Sequence, residues 1–154
     1  MPSIAQAYEG LGFGLYGQAG TLAASAMITS VLKSLTTGPD GAGLKLVGYS
    51  GLMLPVTEDI GLANRSSHYT IGDLLSYSAI CGLGLDCVPI PGDTPVERLA
   101  AIYMDMSMMS FRLKKPLSAR IVPVQGKQAG QMTDFSEQLL SGYDMINAVV
   151  FEVK

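Results

Sequence analysis

An apolar run from Leu85 to Ile90, a turn rich in proline and glycine, a long helical stretch and a second apolar run from Ala119 to Val124 constrain this chain more than any other feature. Thr94-Pro95-Val96-Glu97 has the form of a capping box with proline at the first helical position. Val96, Leu99, Ala100, Tyr103, Met106 and Ser110 follow at helical spacing, and Pro116 stops the pattern. Strand, helix, strand is a βαβ unit, which predicts parallel neighbours joined by a right-handed crossover. The fold class implied is α/β, a mainly parallel sheet with helical crossovers.

The remaining segments extend that pattern. Five glycines between Gly10 and Gly20 precede a helix predicted from Thr21 to about Leu35, built of small and apolar residues and ended by Thr37-Gly38-Pro39-Asp40-Gly41. Leu44 to Leu54 reads as a strand that passes into the loop Gly48-Tyr49-Ser50-Gly51, and Pro55 opens a more polar helical stretch to about Ser67. Thr70 with Asp73 caps a helix reaching about Cys81. Gln125 to Gly130 is a loop, and Ala148 to Val153 is a last predicted strand. No linker or repeat divides the chain, so residues 1–154 are expected to form a single α/β domain.

Composition narrows the partners. Charged residues make up 15% of the chain, below the roughly 25% of ordinary domains, so surface is expected to be buried against other copies or other sequence. A net charge of −3 gives no footprint for nucleic acid or for an anionic membrane. The most apolar stretch, Leu22 to Leu32, is too short to span a bilayer, and no signal peptide opens the chain. Two cysteines are too few for a disulfide framework, and a reduced, cytoplasmic protein is expected.

Several residues could carry chemistry. Gly12-Phe13-Gly14-Leu15-Tyr16-Gly17 matches a dinucleotide-binding pattern but follows no strand, which leaves Gly20 and Thr21 as a helix start able to hold an anion, or simply a packed turn. Ser50 lacks the second glycine spacing of a nucleophile elbow. Glu58 and Asp59, just past a strand end, are the candidate metal ligands, or else the acidic first turn of a helix. Cys81 lies in a glycine loop, whereas Cys87 is expected to be structurally buried. Asp86 interrupts an apolar strand, so it needs a cationic partner or a cavity, and Arg120 is the first candidate partner. Asp93 is a turn or site residue. Met104, Met106, Met108 and Met109 are spread around their helix and read as core or interface filler.

The succession of motifs resembles the family called domain of unknown function 711, or uncharacterised protein family 0210. The resemblance runs through Gly17-Gln18-Ala19-Gly20-Thr21, Gly48 to Val56 with Glu58-Asp59, Ser78 to Asp86, Val88 to Thr94, Lys115 to Val124, and Gly126-Lys127. It implies a fold like that of pyruvate formate-lyase and its glycyl-radical relatives, an α/β barrel of about ten strands. It also implies that this chain corresponds to the C-terminal portion of a longer architecture, completed by a homo-oligomer or an N-terminal partner fragment.

The family likeness assigns no activity and no cofactor. One reading places a small-molecule or metal-binding pocket at the strand ends, around Gly48, Ser50, Glu58, Asp59, Cys81, Asp86, Asp93, Arg120 and Lys127. Another makes the chain a non-catalytic structural or regulatory subunit. A third compares Lys45-Leu46-Val47-Gly48-Tyr49 with a glycyl-radical motif and gives Cys81 the thiyl role, although the order of the two along the chain is reversed.

Overall fold

The computed structural model describes residues 2–37, 44–45, 51–135 and 145–154. Helices α1 (Ile4–Gly10), α2 (Thr21–Thr37), α3 (Ile60–Asn64) and α4 (Ile71–Cys81) precede strand β1 (Gly84–Pro91), helix α5 (Val96–Leu113) and strand β2 (Ser118–Val124). β1 and β2 pair in parallel, as the βαβ pattern predicts, with α5 as the crossover. The protein is thus mixed α/β, and among the described residues the sheet has two strands.

The entry into β1 is tightly specified. Gly82 ends α4 in the left-handed conformation, and Leu83 accepts a hydrogen bond from Ser118 N at 2.8 Å. Gly84 has φ +115°, and a Cβ there would run into the carbonyl oxygen of Ser118 and the Met106 methyl. Only glycine meets both demands. Beyond it, Leu85, Val88 and Ile90 join a core with Ile102 and Met106 of α5.

The register contains one irregularity. Leu85 pairs with Ala119 and Val88 with Ile121, so Asp86 and Cys87 together face the single residue Arg120. This is a β-bulge, and Cys87 takes the left-handed conformation with φ +50°. The other edge of β1 is also occupied: Val56 N donates to Asp86 O at 3.1 Å, and Thr57 Oγ1 to Cys87 O at 3.4 Å. The bulge therefore lies inside the fold, with chain on both sides.

A second packing centre is aromatic. Tyr16 lies edge-on to Tyr8, Tyr69 and Tyr77, with centroids 5.2, 5.4 and 5.9 Å away. This cluster draws α1, the glycine-rich segment and α4 together. Tyr8 reaches α2 through a 2.9 Å hydrogen bond with Ser25.

Four local expectations are corrected. The capping box forms at Thr70–Asp73 but not at Thr94. Thr94 Oγ1 donates to Pro91 O at 2.7 Å, so its side chain closes the preceding turn and Pro95 takes the cap position without a side-chain bond. Of the strand expected from Leu44 to Leu54, residues 46–50 lie outside the described residues, 44–45 and 51–54 form no strand, and Pro55 bridges to Asp86. The stretch from Pro55 contains the short α3 and one 3-10 turn, Ser66–His68, because Asp59 starts the helix four residues later than Pro55. Ala148 to Val153 forms no strand and, among the described residues, makes a single bridge, Val149 to Met132, where its partner is a loop whose Gly130 has positive φ.

Candidate functional site

The bulge gathers two carboxylates, a thiol and a guanidinium. Asp86, 2% exposed, sits where an apolar strand has no room for an isolated charge. Arg120, opposite it on β2, donates from Nε to Asp86 Oδ1. The same guanidinium places Nη1 3.3 Å from Glu58 Oε1, and Cys87 Sγ donates to that oxygen at 3.1 Å. Glu58, Asp86 and Cys87 each offer a ligand atom within 4.8 Å of the others. Among the described residues, Asp86 Oδ2 is buried without a hydrogen-bond partner. Such an atom normally has one, so this oxygen marks unused capacity.

Electrostatics divide the roles. Burial first, then the hydrogen bond to Glu58 and the charges of Asp86 and Glu58, push the Cys87 thiol up to about 12 from 9.0. It stays protonated at neutral pH and is not an activated nucleophile. The hydrogen bond to Asp86 raises the Arg120 guanidinium still further above its ordinary value, so it remains a fixed cation. Two carboxylates against one guanidinium leave the group with a formal charge of −1.

Of the residues singled out from the sequence, the structure brings Glu58, Asp86 and Arg120 together at the bulge. Asp59 points elsewhere. Its Oδ1 accepts from Ser3 Oγ at 2.7 Å and Leu62 N at 2.8 Å, and its Oδ2 from Ile4 N at 2.7 Å. The adjacent carboxylates thus do not share a site. Cys81 is buried beside the tyrosine cluster, with Sγ 3.9 Å from Ser78 O. Asp93 accepts from Gln128 Nε2 at 3.3 Å, and Lys127 pairs with Asp134 at 3.1 Å, so both serve the loops beyond the strand ends. The shared cluster lies near the start of β1, away from those carboxyl ends.

At the proposed anion site, Thr21 Oγ1 accepts from Gly17 N at 3.0 Å, and a Cβ on Gly20 would meet Phe13 at 2.9 Å. The Thr21 hydroxyl and the space beside Gly20 are thus taken up by the chain itself. Gly48 and Ser50 lie outside the described residues, as does the rest of the glycyl-radical comparison apart from Lys45 and Cys81.

Cys87 is the member the sequence reading missed. An Asp-Cys pair breaking an apolar run was the available signal for a bulge, which exposes two successive side chains to one partner. A separate open cleft of about 780 Å³ is lined by Tyr69, Thr70, Arg98, Asp105, Phe151 and Lys154, and no member of the bulge cluster borders it. Among the described residues, no helix is long and apolar enough to cross a membrane.

The family model described as "Uncharacterised ACR (DUF711)" matches residues 1–138. The UPF0210 protein of Limosilactobacillus fermentum is 36% identical over 135 residues, covering 86% of this chain and 30% of the relative. The UPF0210 protein of Methanopyrus kandleri is 36% identical over 129 residues, covering 83% of this chain and 28% of the relative. That of Ligilactobacillus salivarius is 34% identical over 157 residues, covering 94% and 34%. No solved structure matches. The chain therefore spans about a third or less of the length of these relatives. From residue 1 to residue 138 it carries the family's pattern, and it belongs to the DUF711 family of uncharacterised proteins.

Proposed function

We propose that this chain contributes a binding pocket for a cationic ligand, built at the β1 bulge from Asp86, Glu58, Cys87 and Arg120, to a cytoplasmic assembly. The observation that supports it is Asp86 Oδ2, a carboxylate oxygen buried without a partner inside a group of net negative charge. A purely structural ion pair gains nothing from leaving that oxygen bare, and its desolvation is a standing cost. A cation at the bulge would remove it.

The test is a set of thermal melts of wild type and Asp86→Asn with divalent metal ions and with alkyl diamines. The reading expects at least one cation to raise the wild-type midpoint and leave Asp86→Asn unmoved. Equal shifts in both proteins, or none in either, would defeat it.

The assembly follows from α5. Ile102 and Met106 face the core, while Met104, Met108 and Phe111 are 62%, 67% and 81% exposed. At about 100° per residue the two sets lie on opposite sides of the helix. A helix apolar on both sides belongs in an interior. The occupant of the outer side is the portion of the family polypeptide outside this chain, since the relatives are about three times as long as the segment they share with it. Co-expression with the remaining portion of the Limosilactobacillus fermentum relative should give a stoichiometric complex that Phe111→Asp abolishes. A complex indifferent to that substitution, or self-association through the same face, would overturn this assignment.

A further inference from the structure

Resting on the pocket reading above, we infer that the bulge is a site for a thiophilic divalent cation of the zinc or cobalt class, held by Asp86, Glu58 and the Cys87 sulfur. Each ligand type is one such an ion takes, and their atoms already lie within 4.8 Å of one another. A tetrahedral zinc site with oxygen and sulfur ligands needs separations of about 3.5 Å. The 3.1 Å from Cys87 Sγ to Glu58 Oε1 is close to that value, so modest side-chain movement closes the set.

The unpartnered Asp86 Oδ2 is an observation independent of clustering, because it is a buried lone pair that no group among the described residues uses. Three protein ligands leave a fourth position for water or for a bound small molecule, the arrangement of an open rather than a closed metal site. A hard cation would not need the sulfur. Magnesium and calcium take oxygen ligands, and one of the three groups in this set is a thiol.

Arg120 supplies the counter-charge when no ion is bound. It pairs with both carboxylates, yet its side chain is 52% exposed, so it can turn into solvent when a metal takes its place. Metal and guanidinium then compete for the same oxygens. Binding of the ion removes the thiol proton to solvent as the metal–sulfur bond forms, with no change of oxidation state.

The experiment is a titration of the full 154-residue chain with Co(II), read by absorption and followed by Zn(II) displacement. Wild type should give an intense near-ultraviolet sulfur-to-cobalt band with visible bands of four-coordinate geometry. Cys87→Ser should lose the ultraviolet band, and weaken affinity by more than the roughly 10–100-fold that losing an outer-shell partner costs. Cys81→Ser, which alters the only other cysteine, should keep the band and serves as the folding control. Arg120→Gln should bind Co(II) more tightly than wild type. Cobalt bound without the sulfur band, a band that follows Cys81 instead of Cys87, or affinity unchanged in Arg120→Gln would overturn the inference. An Asp86-dependent shift by diamines or magnesium with no sulfur band would sink the thiophilic site and leave the pocket reading standing. No Asp86-dependent shift by any cation would sink both.

Discussion

Asp59 and Asp86 are both buried aspartates near the same segment, and their surroundings are opposite. Asp59 uses both oxygens on three donors, Ser3 Oγ, Ile4 N and Leu62 N. Two of those donors belong to the first turns of α1 and α3, so one carboxylate satisfies the starts of two helices. Asp86 gives one oxygen to Arg120 and leaves the other with nothing. The contrast teaches that burial of an acid is not itself a functional signal. What separates a structural carboxylate from a candidate binding group is whether each oxygen has a donor.

The largest effect expected from this contrast is at Asp59. Asp59→Ala removes a helix cap and orphans Ser3 and Ile4, which should cost about 3 kcal/mol in denaturant unfolding. A loss below 1 kcal/mol would place the carboxylate outside the structural class.

At the bulge, the two halves of the ion pair should not cost the same. Arg120→Gln leaves a buried carboxylate without its cation and should cost about 2 kcal/mol, less than a fully buried pair because the guanidinium is half in water. Asp86→Asn leaves only that half-exposed guanidinium, which water and Glu58 can still serve, and should cost about 1 kcal/mol or less. Urea melts of both variants and of the double variant check this order. If Asp86→Asn proves the costlier, the carboxylate is as structural as Asp59, and the comparison collapses.

Much of this was legible in the sequence, for physical reasons that differ between residues. The parallel pairing of β1 with β2 follows from strand–helix–strand order, and the same geometry brings Arg120 beside Asp86. Thr94 looked like a cap because its spacing to Glu97 fits one, yet its hydroxyl donates back to Pro91 O and closes the preceding turn. Glu58 and Asp59 read as candidate metal ligands or as the acidic start of a helix, and Asp59 is the cap of α3. In the turn after Pro55, whose carbonyl accepts from both Glu58 N and Asp59 N, one side chain reaches the bulge and the other the helix starts. The Asp-Cys pair signals an interruption of the strand, but the aim of the Cys87 thiol depends on what pairs with each edge of β1.

The smallest effect concerns a carboxylate paired with arginine at the surface, the solvent-side counterpart of Asp86. Glu9 accepts from Arg65 Nε at 2.9 Å and Nη2 at 3.4 Å, and from Tyr16 N at 3.3 Å. The hydrogen bond from Arg65 holds its carboxyl below the ordinary value of 4.5. A depressed folded pKa means the ionised form is favoured by folding, so this stabilisation is fully present above about pH 4.5 and fades as the pH falls through the folded value. Glu9→Gln should therefore melt slightly below wild type at pH 7, and the gap should close as the pH drops below about 4.5. Because both side chains of this pair reach solvent, at 33% and 22% exposed, whereas Asp86 does not, added salt should shrink the same gap at pH 7. Arg120→Gln, whose partner is buried, should keep its deficit in the same salt. If salt erased both deficits equally, Asp86 would be no better shielded than Glu9, and the bulge would lose the dry environment that makes its bare oxygen costly.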